Sequence, residues 1–240
     1  MHSRRTFLRW CALSGLALRA QQPAPQRWIY VIDEFGDGTG GWLPGFSDYS
    51  LLTSPADRAF EVRALPAGID PRRPALYVRS PNPSDDVFMF IKKPVTARDG
   101  LAADRLYRIS FYLEFGSNAP SGCAGIGGAP GEAVTLKAGA STVEPVATLS
   151  GQNVMLNIDK GNQDTGGRDA SVTGHIGNGL PCEPGGPAPW VLLKRTHEHP
   201  EPVRTDGSGT LWLVVGADSG FEGTTSLYFA TIVVLLTLQG

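Results

Sequence analysis

Tyr107-Arg108-Ile109-Ser110-Phe111-Tyr112-Leu113-Glu114-Phe115 is the stretch on which the fold turns. Tyr107, Ile109, Phe111, Leu113 and Phe115 fall on one face, and Arg108, Ser110, Tyr112 and Glu114 on the other. A period of two over nine residues predicts a half-buried β-strand. Outward from it, Trp28–Ile32, Leu76–Arg79, Val87–Lys92, Val134–Ala138, Val154–Ile158 and Leu211–Gly216 read the same way. Each is rich in β-branched or aromatic residues and bounded by Gly, Pro, Asn or Asp. Ser226–Leu238 is apolar on both faces, which predicts a central strand buried on both sides and pairing with the first strand. Helical signal is weak; Pro55–Phe60 predicts a turn or two. Many strands without helical connections predict an all-β antiparallel β-sandwich.

Composition narrows the class. The 240 residues are 41% hydrophobic and 18% charged, too apolar for a disordered chain and too weakly charged for a coiled coil. Glycine is concentrated between Gly116 and Gly186. That density predicts a long Gly-rich loop region, with few buried side chains, elaborating the sandwich.

The first twenty residues, MHSRRTFLRWCALSGLALRA, run from a basic start through an apolar stretch to Ala20. This is the order of a signal peptide. Ser3-Arg4-Arg5-Thr6-Phe7-Leu8-Arg9 resembles the twin-arginine export motif. The expectation is a twin-arginine-type signal at 1–20, a Pro/Gln-rich linker at 21–26 and one domain at 27–240. Export would use the twin-arginine translocase and end in the periplasm or outside the cell. The leader takes four arginines and no acid with it. The remainder has 17 basic and 23 acidic residues and a net charge of −6, which argues against a nucleic-acid partner. No run of 18 apolar residues predicts a transmembrane helix. Cys123 and Cys182 remain after Cys11 leaves, and an even pair in an exported domain predicts a disulfide.

Asp33-Glu34-Phe35-Gly36-Asp37-Gly38-Thr39-Gly40-Gly41-Trp42, with Leu106-Tyr107-Arg108-Ile109-Ser110-Phe111 in the middle and Leu227-Tyr228-Phe229 near the end, resembles carbohydrate-binding modules of the galactose-binding-like jelly-roll fold. The resemblance implies a jelly roll. It also implies a structural calcium held by an acid of the first strand and one of the last. Asp33 and Glu34 match the first half; Phe229-Ala230-Thr231-Ile232 lacks the second acid.

Several side chains are candidates for ligand contact. Asp218 and Glu222 lie four apart in a loop-like stretch with glycines and hydroxyls. Asp159 and Asn162 follow a strand end. Their oxygens suit sugar hydroxyls or calcium. Trp42, Tyr49 and Trp190 lie in loop-like surroundings, where an aromatic ring offers apolar area with a polar handle. Trp28 and Trp212 read as core. His197-Glu198-His199 places two imidazoles on one face of a strand but lacks further zinc ligands nearby. No Gly-x-Ser-x-Gly or His-Glu-x-x-His motif is present. The leading expectation is an exported, non-catalytic module binding a glycan or cell-envelope component. The alternatives are a polysaccharide hydrolase or lyase using paired carboxylates, and a structural or protein-interaction envelope protein.

Overall fold

A computed structural model describes residues 26–84, 86–183 and 188–240. The expected signal at 1–20 and residues 21–25 of the expected linker lie outside the described residues. In chain order the strands are β1 (Trp28–Asp33), β2 (Leu43–Ser47), β3 (Tyr49–Ser50), β4 (Ala59–Ala64), β5 (Pro74–Pro81), β6 (Val87–Val95), β7 (Leu106–Ser117), β8 (Val134–Ser141), β9 (Ala147–Ser150), β10 (Asn153–Leu156), β11 (Ser171–His175), β12 (Val191–Glu198), β13 (Val203–Arg204), β14 (Leu211–Ser219) and β15 (Thr224–Leu238). Among the described residues the helical elements are two 3₁₀ turns, Leu51–Thr53 and Ala97–Asp99. The helical expectation for 55–60 fails: Asp57 sits at φ +52°, a left-handed conformation that ends a helical turn, and β4 begins at Ala59.

Two antiparallel sheets face each other. The first has the order β12-β7-β15-β5-β4, with β1 also on β15 and β13 also on β7. The second has the order β11-β8-β14-β6-β2. Between them lie Ile109, Phe111 and Leu113 of β7, Ile232 and Val234 of β15, Leu136 of β8, and Leu213 and Val215 of β14. The period-two reading of β7 holds on its inward face, where all five apolar residues are buried.

β15 is central, with β7 on one side and β1 and β5 end to end on the other. It pairs with the first strand from Ile232 to Thr237. It is not buried on both faces. Leu227, Phe229, Ile232, Val234 and Leu236 point inward, while Val233 and Leu235 are only half-buried.

The Gly-rich region holds more structure than expected. All eight residues of β8 are buried, and β9 and β10 join β3 in a small third sheet. This sheet and the 157–170 loop cover the outer face of the second sheet, where Phe88, Phe90, Ile158, Ala170 and Val214 form a separate apolar cluster. Gly139 of β8 permits the loop's close approach: a Cβ there would lie 2.3 Å from the Asp169 carbonyl oxygen. Cys123 and Cys182 are bridged, with Cα atoms 5.2 Å apart.

Candidate functional site

The outer face of the first sheet carries an exposed apolar row. Every residue from Trp28 to Ile32 is apolar or aromatic, so alternation alone does not say which side is buried. The structure turns Ile29 and Val31 inward and leaves Trp28, Tyr30 and Ile32 exposed at 56%, 62% and 63%. This corrects the assignment of Trp28 to the core. Trp212 is half-buried on the other sheet, beneath the Lys92 ammonium at 5.6 Å. The register continues the row across the sheet. Tyr30 stands opposite Leu235 and Ile32 opposite Val233; beyond β15, Leu235 meets Ser110 and Val233 meets Tyr112. Solvated outer faces of antiparallel sheets are ordinarily polar. A contiguous apolar strip there marks a contact surface.

Polar groups border the strip. Arg108 pairs with Glu198, and the Arg27 guanidinium lies 5.2 Å from the Trp28 ring centre. At one end Glu114 gathers the Tyr112 hydroxyl at 2.7 Å, Arg73 at 2.6 Å and Lys194 at 3.0 Å. Burial pushes the Glu114 carboxyl up, but the hydrogen bonds from Tyr112, Arg73 and Lys194 outweigh it and hold the pKa down to about 2. Arg73 and Ile32 also line a cavity of about 410 Å³ with Glu34, Asp37, Gly38 and Pro74. Strip and cavity are thus contiguous. An apolar ring face can lie on Trp28 and Tyr30 while its hydroxyls reach guanidinium, carboxylate and phenol groups nearby.

The sequence-predicted residues do not converge on one site. Trp42 is fully buried, because its indole Nε1 donates to Asp33 Oδ2 at 2.9 Å and its ring joins the sandwich core. Asp33 is taken up by that bond and by Lys93, whose Nζ lies 2.9 and 2.8 Å from its two oxygens. An ammonium therefore stands beside the carboxylate to which the resemblance assigns a calcium. Glu34 is exposed beside it, on the cavity. Among the described residues no group of three or more His, Cys, Asp or Glu side chains is placed to hold a metal ion. Asp218 is not in a loop but in β14, fully buried between Lys137 and Lys160. Glu222 is half-buried in the turn that follows. Trp190 packs edge-on against Tyr228, on the outer face of the first sheet. Asp159 and Asn162 lie exposed on the loop over the second sheet, and Asp159 accepts from the Gly161 and Arg168 amides. Tyr49 is half-buried, with its hydroxyl bonded to Arg58. Trp190 and Asp159 are therefore on opposite outer faces of the sandwich.

His197 and His199 do share a face, and what they share is Ser171: its Oγ lies 2.7 Å from His197 Nε2 and 2.8 Å from His199 Nδ1. Ser171 belongs to β11 and His197 to β12, so the three side chains clip the edge of one sheet to the edge of the other.

Similarity to known proteins lies in the architecture. The chain is similar in structure to β-sandwich carbohydrate-binding modules. One, from work on promiscuous specificity in that superfamily, aligns at TM-score 0.39 and 12% identity over 86% of this chain; the chain spans only 60% of it. The mannan-recognising module TmCBM27 aligns at TM-score 0.41 and 11% identity, covering 88% of this chain and 98% of the module. The xylan-binding domain of CBM 22 aligns at TM-score 0.36 and 13% identity, covering 89% and 97%. No protein-family model matches the chain, and no curated protein matches it. Among the described residues no helix is long and apolar enough to cross a membrane.

Proposed function

We propose that this chain is an exported, non-catalytic module that binds a glycan on the outer face of its first sheet. The reading rests on the exposed row Trp28, Tyr30 and Ile32, backed by Val233, Leu235 and Tyr112 and bordered by charged side chains. From Trp28 to Ile32 the row is about 14 Å long at a strand's rise per residue. That length suits a short run of sugar residues better than a single one. The hydrolytic alternative would draw its paired carboxylates from Glu132, Glu144, Asp159, Asp218 and Glu222. Asp218 is buried and held by two ammonium groups, so it does not meet a substrate.

The test is calorimetry and affinity electrophoresis against a panel of soluble polysaccharides. Trp28→Ala and Tyr30→Ala are expected to weaken binding by about 2 kcal/mol each, roughly thirtyfold in Kd, as truncation of a central aromatic contact does. Both residues are exposed, so thermal stability should hardly change. Flat isotherms for the unaltered protein across the panel, or undiminished binding in the double variant, would reject this face as a glycan site.

A further inference from the structure

A buried ionic cluster lies on the outer face of the second sheet, away from the proposed binding face. It contains buried Asp48, Lys137, Lys160 and Asp218 with half-buried Asp86 at its edge, and the Phe88 ring lies 5.3 Å from the Lys160 ammonium. Lys137 Nζ has three acceptors: Asp218 Oδ2 at 2.7 Å, the Thr165 carbonyl at 2.8 Å and the Lys160 carbonyl at 2.9 Å. Lys160 Nζ also has three: Asp218 Oδ2 at 2.8 Å, Asp48 Oδ2 at 3.2 Å and the Gly161 carbonyl at 3.3 Å. An ammonium has three N–H donors, so both are fully used. Asp86 Oδ1 and Asp218 Oδ1 are buried, and neither has a donor among the described residues. Asp86 directly precedes β6, where Val87 pairs with Ser219 and Phe88 with Asp218, so the register sets the two carboxyls beside each other.

We infer that one proton is held between Asp86 and Asp218, so that Asp86 is a neutral acid donating to the Asp218 carboxylate. That single proton satisfies both orphaned oxygens. It also balances the charge, leaving two carboxylates, Asp48 and Asp218, against two ammonium groups. Without it three carboxylates would face two cations, with two oxygens in direct repulsion. Burial, and then the negative charge of Asp218, push the Asp86 carboxyl up to about 8.

Asp86 and Asp48 also line a cavity of about 230 Å³ with Tyr49, Ser50, Thr53 and Ser84. The shared proton therefore ties the wall of this cavity, at residues 84 and 86, to β14. Its loss at alkaline pH drives Asp86 away from Asp218 and loosens that wall. The pair works as an alkali-sensitive latch. The native state binds one more proton than the unfolded chain between the ordinary aspartate range and about pH 8. Stability from this pair is thus complete at low pH and is lost as pH rises through that window.

The experiment is a ¹³C-carboxyl NMR titration of the purified protein, together with urea unfolding of the wild type and Asp86→Asn at pH 7 and pH 9. The amide of Asn can replace the shared proton as donor. The Asp86 resonance is expected to titrate near pH 8, and the wild-type urea midpoint to fall between pH 7 and 9 while that of Asp86→Asn stays level. An Asp86 carboxyl fully ionised by pH 5, or parallel midpoints for the two proteins, overturns the inference. Should Asp86→Asn fail to fold, the wild-type titration decides alone.

Discussion

Trp42 and Asp33 are joined by a buried hydrogen bond of 2.9 Å from the indole nitrogen to the carboxylate, which Lys93 also grips. The Gly-rich turn between them serves this contact. Gly40, at φ +63°, lies so close that a Cβ would stand 2.4 Å from Asp33 Oδ1. The turn resembling a sugar-binding opening is thus an internal brace between β1 and the core. Asp33→Ala strands the Lys93 ammonium and the indole N–H, and should cost about 3 kcal/mol in urea unfolding. Calcium and chelator should give the same Tm. A calcium-dependent rise of several degrees would contradict the ammonium's role here.

Ser171 carries the junction of the two sheet edges. Ser171→Ala removes the hydroxyl between half-buried His197 and buried His199 and leaves the His199 ring nitrogen unpaired, at a cost of about 1–3 kcal/mol. Burial lowers the pKa of both imidazoles, and each also feels charges around it. At pH 7 this favours the uncharged ring of each in the folded protein. Their contribution is present above the ordinary histidine range and is lost as pH falls through their depressed values. A Tm profile from pH 7 to 4 should show this decline, and it should be absent when both histidines are replaced by Gln.

Cys123 and Cys182 are 59 positions apart. Closing a loop of that length stabilises by ~4 kcal/mol in the chain-entropy model. The Cys123→Ser/Cys182→Ser protein should unfold at clearly lower denaturant than the oxidised wild type, and reductant should move only the wild type. Equal midpoints would show that the unfolded chain gains little freedom.

Glu114 should shape the acid limb of stability. Its folded pKa is held near 2, so its contribution is present above the ordinary glutamate range and lost as pH falls toward 2. Glu114→Gln should flatten the wild type's fall between pH 5 and 2 by about 2 kcal/mol, discounted for the solvent that reaches the site. An unchanged acid limb would mean that Arg73 and Lys194 find water as readily as they find this carboxylate.

Much of the strand inventory was legible because alternation is a local signal. β7 shows it cleanly: a polar residue stands between each apolar pair, so one face is marked for burial before any partner is known. The signal fades in β1 and β15, where both faces are apolar. There the sequence does not say which side meets the other sheet, and only the structure shows Trp28 on the open face. Trp42 is hidden for a related reason: a ring beside glycines reads as a loop aromatic, and only the fold brings the carboxylate nine residues earlier to its N–H.

By itself, then, the sequence determined an all-β sandwich, the strand that pairs first with last, and the cysteines available for a bridge. These follow from periodicity, from turn residues and from the count of thiols. Only the tertiary structure decided which face of β1 is open, that Asp218 lies among lysines from β8 and the 157–170 loop, and that two histidines meet a serine from another sheet. Those contacts depend on sheet order and register, which join residues far apart in sequence and leave no local trace in the residues themselves.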